Sequence, residues 1–286
     1  MMSFLVQYNK DWSFPRVIDI AKEIEYSALD PNVIGRVDSS ELNTEYLFGM
    51  FSTFGQSQNT SLIGVPLNQT IVELIIQGNS MSVSLIVMFN WTVEIIPVQF
   101  NAMFSMTISQ NLWKLKLRRC KVFNDVGKIT QYDAQLVRSS WIFPLILPKL
   151  APILAKELHM PDTTDPAILV TARAAYDICS AHAQYCTGTL RQYRSTESCM
   201  DFITNDIQFG DIYQAGQNTG ICRYLHSAML AERPQVHCPH IGPSGGDMCY
   251  NRPYSDEVLG KPFNSPFINI PGELTLEEAF ALVYKD

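Results

Sequence analysis

The sequence predicts an α+β fold in which short helices precede a curved antiparallel sheet and a helical, disulfide-rich extension follows it. Three observations predict this fold. Apolar residues recur at helical spacing between Trp12 and Leu47, and apolar and polar residues then alternate from Gly78 to Trp141. Six of the seven cysteines lie at or after Cys179, in a region rich in Pro and Gly.

The first half of the chain contains the predicted helices and strands. One or two helices are expected before Leu47, because Asp30-Pro31 and Gly35 interrupt the helical spacing. Period-two alternation then indicates half-buried antiparallel strands. One strand face comprises Phe100, Ala102, Phe104, Met106 and Ile108, and another comprises Trp113, Leu115 and Leu117. Asn124–Gly127 predicts a hairpin turn, since Asn, Asp and Gly tolerate the positive φ of tight turns.

The pattern changes after a Pro-rich crossover at 143–152, and we place a domain boundary near Leu158. This gives a domain over residues 1–158 and a Cys-rich helical and loop extension over 159–286. Helices are predicted in the extension at Ala167–Tyr185, Ser198–Phe209 and Gly220–Leu230. From Glu232 onward the sequence predicts consecutive turns.

Composition excludes two classes of partner. The net charge is −7 and the only basic cluster is Lys114–Arg119, so the chain offers no basic face for nucleic acid. No stretch has the roughly 20 uninterrupted apolar residues of a bilayer span. We therefore expect neither a nucleic-acid partner nor a membrane span.

Cysteine usage predicts an oxidising compartment. Clustered cysteines in a loop-rich region indicate three disulfides, which persist in the secretory pathway. The predicted disulfide cysteines are Cys179, Cys186, Cys199, Cys222, Cys238 and Cys249. Glycosylation sequons begin at Asn59, Asn68 and Asn90. We predict a secreted protein whose signal peptide is absent from this chain, because the start turns polar after Val6; a cytosolic protein is the alternative.

The segment Phe123–Leu136, "FNDVGKITQYDAQL", resembles the last hairpin of the nuclear transport factor 2-like superfamily, which includes SnoaL-like cyclases and ketosteroid isomerases. The resemblance covers roughly the first half of the chain, residues 1–158. It implies that the sheet is bent into a cone whose concave face lines an apolar pocket. The Cys-rich extension is not part of the usual superfamily pattern and resembles those of secreted fungal proteins, some of which act in natural-product pathways.

The resemblance also implies a site. With the Gly-Lys of the hairpin aligned on that of ketosteroid isomerases, Arg119 falls where those enzymes place an acid that hydrogen-bonds a developing oxyanion. A guanidinium can donate such bonds as well, so Arg119, assisted by Lys121, would polarise a substrate oxygen while Tyr132 donates or relays a proton. The alternative is that Arg119 and Lys121 are solvated at the end of a strand and that Tyr132 is a core tyrosine. The substrate-binding residues would be Trp113, Leu117, Phe104, Ala134 and Leu136. Such a site takes an apolar small molecule without a cofactor, and homodimers through the sheet are an option.

The segment "HCPHIGPSGGDMC", His237–Cys249, allows three interpretations. Cys222, His226, His237, Cys238 and His240 could supply ligands for tetrahedral zinc. His237 or His240 could instead act as an acid or base on a lid, because histidine titrates near neutrality. We favour the third interpretation, a disulfide-pinned loop with Cys238 and Cys249 as the pins, and assign no metal ligand.

The favoured function is therefore a cofactor-independent enzyme of secondary metabolism that acts on an apolar polyketide- or terpenoid-type intermediate. The reaction would be an isomerisation, cyclisation or dehydration, or a pericyclic reaction such as a hetero-Diels–Alder addition. Two alternatives stay open. One is a secreted protein that binds a lipid or pigment, since one fold can serve both roles. The other is a zinc-dependent enzyme that uses the His/Cys tail.

Overall fold

The structure is a computed structural model that describes residues 60–77, 80–106 and 129–259. Several sequence predictions lie outside these residues and stay predictions. They are the helices before Leu47, the strand through Trp113, Leu117, Arg119 and Lys121, the turn at Asn124–Gly127, the sequon at Asn59 and the lone Cys120.

Four antiparallel strands form one sheet in the order β1-β2-β3-β4. They are β1 (Val65–Gln77), β2 (Ser80–Trp91), β3 (Glu94–Met106) and β4 (Ile129–Val137). The predicted antiparallel sheet is confirmed, but it begins earlier than Gly78. Register shifts between Pro66 and Asn68 and between Ile71 and Glu73 interrupt the alternation of β1. A bulge adds one residue and reverses the parity, which explains why the sequence pattern misses this strand.

Period-two alternation holds along β2, where Met81, Val83, Leu85, Val87 and Phe89 are buried. The β3–β4 register continues the same face. It pairs Phe100 with Leu136, Ala102 with Ala134 and Phe104 with Tyr132. Ala134 is buried and Leu136 half-buried. Directly opposed residues share a face of a sheet, so Ala134 and Leu136 lie on the same side as Ala102 and Phe100.

The Pro-rich crossover is a helix, which corrects the sequence prediction. Helix α1 (Ile142–Glu157) contains Pro148 and Pro152 and buries Ile146, Leu150 and Leu154 against the core. Both prolines are exposed, as is Pro144 in the first turn. The carbonyls that lose an N–H partner therefore face solvent and can bind water, while the opposite face packs as an ordinary amphipathic helix.

The other helices are α2 (Pro166–Tyr185), α3 (Thr196–Asp201) with a π-helical turn at Phe202–Asp206, α4 (Gly220–Ser227), α5 (Pro234–Ile241) and α6 (Tyr254–Leu259). The predicted helices at Ala167–Tyr185 and Gly220–Leu230 are confirmed, and the one predicted from Ser198 begins at Thr196. The prediction of consecutive turns after Glu232 was wrong for residues 234–241, which form the helix α5. Pro234 occupies its first turn, where proline is tolerated, and the helix buries His237, Cys238 and Ile241.

Three disulfides cross-link this half, and they use all six predicted cysteines. The pairs are Cys179–Cys199, Cys186–Cys238 and Cys222–Cys249. Cys238 and Cys249 do pin the segment between them. Cys238 is bonded to Cys186 at the end of α2, and Cys249 is bonded to Cys222 on α4. Such bonds fit a protein of the secretory type. Across the described residues, no helix is both long and apolar enough to cross a bilayer.

Stability is expected to fall in mild acid because of His182. Its Nε2 accepts hydrogen bonds from the amides of Gln192 (3.0 Å) and Tyr193 (3.4 Å), which requires the neutral ring. Burial, and secondarily the charge of Arg191, lower the pKa of His182 below 6.5. The unfolded chain therefore takes up protons first, so stability is complete above about pH 6.5 and declines below it.

His182→Gln keeps an acceptor that does not titrate. The thermal midpoint of the variant should fall less than that of the parent between about pH 8 and about pH 5. The comparison is a pair of calorimetric scans at each pH. Parallel declines in the two proteins would assign the acid sensitivity to other groups.

Candidate metal centre

Three buried histidines meet between α4 and α5. His226 lies in the last turn of α4, while His237 and His240 are three residues apart on α5, a spacing that puts both on one helix face. Their exposed fractions are 1%, 0% and 5%. Three adjacent buried imidazoles are unusual, because buried polar groups must find partners inside the protein.

The Nδ1 atoms of the three rings converge. His226 Nδ1 lies 3.0 Å from His240 Nδ1 and 3.2 Å from His237 Nδ1. One candidate ligand nitrogen from each ring lies within 4.8 Å of the other two. Nitrogen ligands of a tetrahedral ion with metal–nitrogen bonds of about 2.0–2.1 Å are about 3.3 Å apart. The histidine spacing is therefore close to that of a tetrahedral metal centre.

The charge state of the cluster also suits a metal. Burial lowers the pKa of His226 well below its usual value, and the neighbouring His240 and His237 lower it further. Burial likewise lowers the pKa of His240. Neutral imidazole is the form that binds metals. The Nδ1 atom of His226 has either one lone pair or one hydrogen, so it cannot make both short contacts as hydrogen bonds of good geometry. A cation, by contrast, can accept one lone pair from each of the three nitrogens.

Asp247 fixes the orientation of His240. Its Oδ1 lies 2.7 Å from His240 Nε2, although the Asp247 side chain is 87% exposed. Donation of the Nε2 hydrogen to this carboxylate selects the tautomer whose Nδ1 carries the lone pair toward the cluster. A carboxylate behind a ligating histidine is the usual outer partner in metal sites.

The glycine-rich turn allows this contact. Gly245 and Gly246 have φ of +72° and +58°, which glycine adopts without strain. A Cβ at Gly246 would lie 2.8 Å from His240 Cδ2, and one at Gly245 would overlap the carbonyl of Cys249. The turn therefore folds closely over the His240 ring and presents Asp247 to it.

The structure brings together only part of the ligand set that the zinc hypothesis used. His226, His237 and His240 meet, but Cys222 and Cys238 are held in disulfides and offer no thiolate in this state. The prediction of a mixed Cys/His ligand set is thus corrected to three histidines. His237 and His240 are both buried. An acid–base role for either of them on a lid stays a prediction. Sequence reasoning missed Asp247 as a partner of His240. The feature of the sequence that could have indicated it is its position directly after Gly245 and Gly246.

The isomerase-type site on the sheet stays a prediction. Arg119, Lys121, Trp113 and Leu117 lie outside the described residues, and for Phe104 and Tyr132 only the backbone is described. Asn68 and Asn90 are exposed, as glycosylation requires.

Two family models match most of the chain. Residues 6–134 match the BfoA N-terminal domain, and residues 138–252 match the BfoA family C-terminal domain. The chain belongs to the BfoA family. The resemblance to the nuclear transport factor 2-like superfamily stays a prediction. The histidine cluster and Asp247 lie wholly within the C-terminal BfoA domain.

Curated members of the family align over most of their length. The bifonsecin B biosynthesis cluster protein A of Aspergillus brasiliensis is 37% identical over 263 residues, which are 89% of this chain and 81% of the relative. The aurasperone B biosynthesis cluster protein A of Aspergillus niger is 36% identical over 263 residues, 89% of this chain and 79% of the relative. The division of this chain near Leu158 stays a prediction, although the two BfoA domains meet between residues 134 and 138.

Proposed function

We propose that this BfoA-family protein is a metal-dependent enzyme of natural-product biosynthesis, with one transition-metal ion bound by Nδ1 of His226, His237 and His240. The convergence of the three Nδ1 atoms carries the proposal. The biosynthetic role is supported by relatives whose names assign them to biosynthesis clusters for bifonsecin B and aurasperone B.

The ligand set indicates the kind of ion and its use. Imidazole nitrogen suits zinc and copper, and also iron and nickel. Three protein ligands are typical of catalytic rather than structural sites, because the fourth position is left for water or substrate. An ion in such a site supplies Lewis-acid polarisation of a substrate oxygen, or an activated water.

The residues around the cluster prepare it for this role. Asp247 holds His240 in the metal-binding tautomer, and burial keeps His226 neutral. The Cys222–Cys249 and Cys186–Cys238 bonds anchor the two segments that carry the ligands. A geometry held by covalent links requires little rearrangement when the ion binds, which favours affinity.

Metal content tests the proposal. The full chain, secreted with its disulfides formed, should carry one equivalent of zinc or copper by elemental analysis. After chelation it should take up one equivalent of Co²⁺, with the visible absorption of tetrahedral nitrogen coordination. A chain that neither retains metal nor binds Co²⁺ would contradict the proposal.

Asp247→Asn should weaken metal binding by about 10–100-fold, because an amide orients His240 less strongly and lowers the basicity of its Nδ1. The measurement is competition with a coloured chelator. Asp256→Asn is a suitable control, since Asp256 is an exposed acid of the same half of the chain and accepts a hydrogen bond from the Ser255 hydroxyl. Equal affinity in both variants would remove Asp247 from the site.

A further inference from the structure

A second group of candidate ligands adjoins the histidine cluster. The Sγ atoms of Cys222 and Cys249 and one ring nitrogen of His226 all lie within 4.8 Å of one another. Cys222 and His226 are four residues apart on α4, so both project from the same helix face. In the folded protein the two sulfurs are bonded to each other and fully buried.

We propose that Cys222, His226 and Cys249 form a transient metal site before their disulfide closes, and that closure transfers the ion to the three histidines. The proposal rests on the proposed function, because it supplies the ion for that site. Newly made chains carry both cysteines as thiols. Metal binding displaces the two thiol protons and gives two thiolate ligands and one imidazole, a donor set that zinc and copper(I) prefer.

The transfer step balances through disulfide exchange. A protein disulfide of the oxidising compartment accepts two electrons from the two thiolates and two protons from solvent and becomes a dithiol, while the Sγ–Sγ bond of Cys222 and Cys249 forms. The new disulfide is a poor ligand, since thiolates rather than disulfide sulfurs bind metals. His226 belongs to both ligand groups, so the two sites share one residue and the ion moves only a short distance as His237 and His240 replace the sulfurs.

Closure of the same bond also completes the histidine site. Cys249 ends the turn that carries Asp247, and its link to α4 holds that turn over His240. Because both sulfurs are inaccessible once bonded, the exchange belongs to oxidative folding rather than to later reduction of the native protein.

Single cysteine variants isolate the transient site. In Cys249→Ser, Cys222 is left as a free thiol beside His226, and the other two disulfides can still form. We expect this variant, after Co²⁺ is added, to have the near-ultraviolet thiolate-to-cobalt absorption that the parent lacks. Adding His226→Ala should remove it. Cys199→Ser frees Cys179, which belongs to neither candidate ligand group, and should produce no such band.

The outcomes separate the two proposals. If the parent binds Co²⁺ through nitrogen but Cys249→Ser gains no thiolate band, the transient site is wrong and the histidine site stands. If only the variant binds Co²⁺, the transient site stands and the proposed function fails. Should the variant not fold, the reduced parent is refolded with Co²⁺ and glutathione disulfide. A thiolate band that appears and then decays is expected, and its absence throughout would overturn the proposal.

Discussion

His226→Ala is expected to abolish metal binding. Its Nδ1 takes part in both short contacts of the cluster, so its loss leaves two histidines on one helix. Removal of a direct ligand should exceed the effect of an outer-shell substitution, and we expect more than about 100-fold loss of affinity. Competition against a chelator of known affinity measures the loss.

His182→Gln is the matched control, because it removes another buried histidine of the same half without touching the cluster. Its metal affinity should equal that of the parent. A second measurement separates binding from folding. The metal should raise the unfolding midpoint of the parent and of His182→Gln, since it binds only the folded state, but not that of His226→Ala. An intact metal-dependent shift in His226→Ala would place the ion elsewhere.

Local sequence patterns predicted a helix or strand correctly where apolar residues repeat at one constant spacing along the whole element. Burial on alternate residues of β2 and the long apolar stripe of α2 are such cases. The predictions failed where a local signal was overridden. Two bulges interrupt the alternation of β1, so its sequence does not have the period of a strand. The prolines of α1 suggested a crossover, although all of them lie on the exposed face of a helix. A proline inside a helix is better tolerated when the carbonyl that it leaves unpaired can bind water, and the sequence does not give exposure directly.

The candidate site was only partly predictable, for a related reason. The three-residue spacing of His237 and His240 is visible in the sequence, whereas their convergence with His226 depends on how α4 packs on α5. The cysteine pattern predicted disulfides, but six cysteines allow 15 connectivities. The actual pairing removes the thiolates from the site and leaves the histidines. Asp247 reaches His240 only because two consecutive glycines adopt positive φ.

Arg223→Met is expected to destabilise the protein by about 3–5 kcal/mol, because it leaves two buried and two partly buried acceptors without a donor. Arg223 is fully buried. Its Nε donates to the carbonyl of Gly242 (3.2 Å), and its Nη2 donates to the carbonyl of Pro243 (3.3 Å) and to Asn218 Oδ1 (2.8 Å). Nη1 donates to the carbonyl of Thr219 (3.1 Å). The free energy of unfolding is measured by guanidinium titration with the disulfides intact.

Arg223→Lys tests whether charge or geometry stabilises this contact. A lysine keeps the charge but lacks the planar fork that reaches both α4 and the start of the Gly-rich turn, so most of the loss should remain. Arg194→Met removes an exposed arginine of the same half and should change stability by less than about 0.5 kcal/mol.

Arg223 also positions the Gly-rich turn. Gly242 and Pro243 begin this turn and Cys249 ends it, so Arg223 and the Cys222–Cys249 bond hold the two ends of the turn to the same helix. Arg223→Met should therefore weaken metal binding as well, by loosening Asp247 from His240. A variant that loses stability but keeps full affinity would show that the disulfide alone positions the turn.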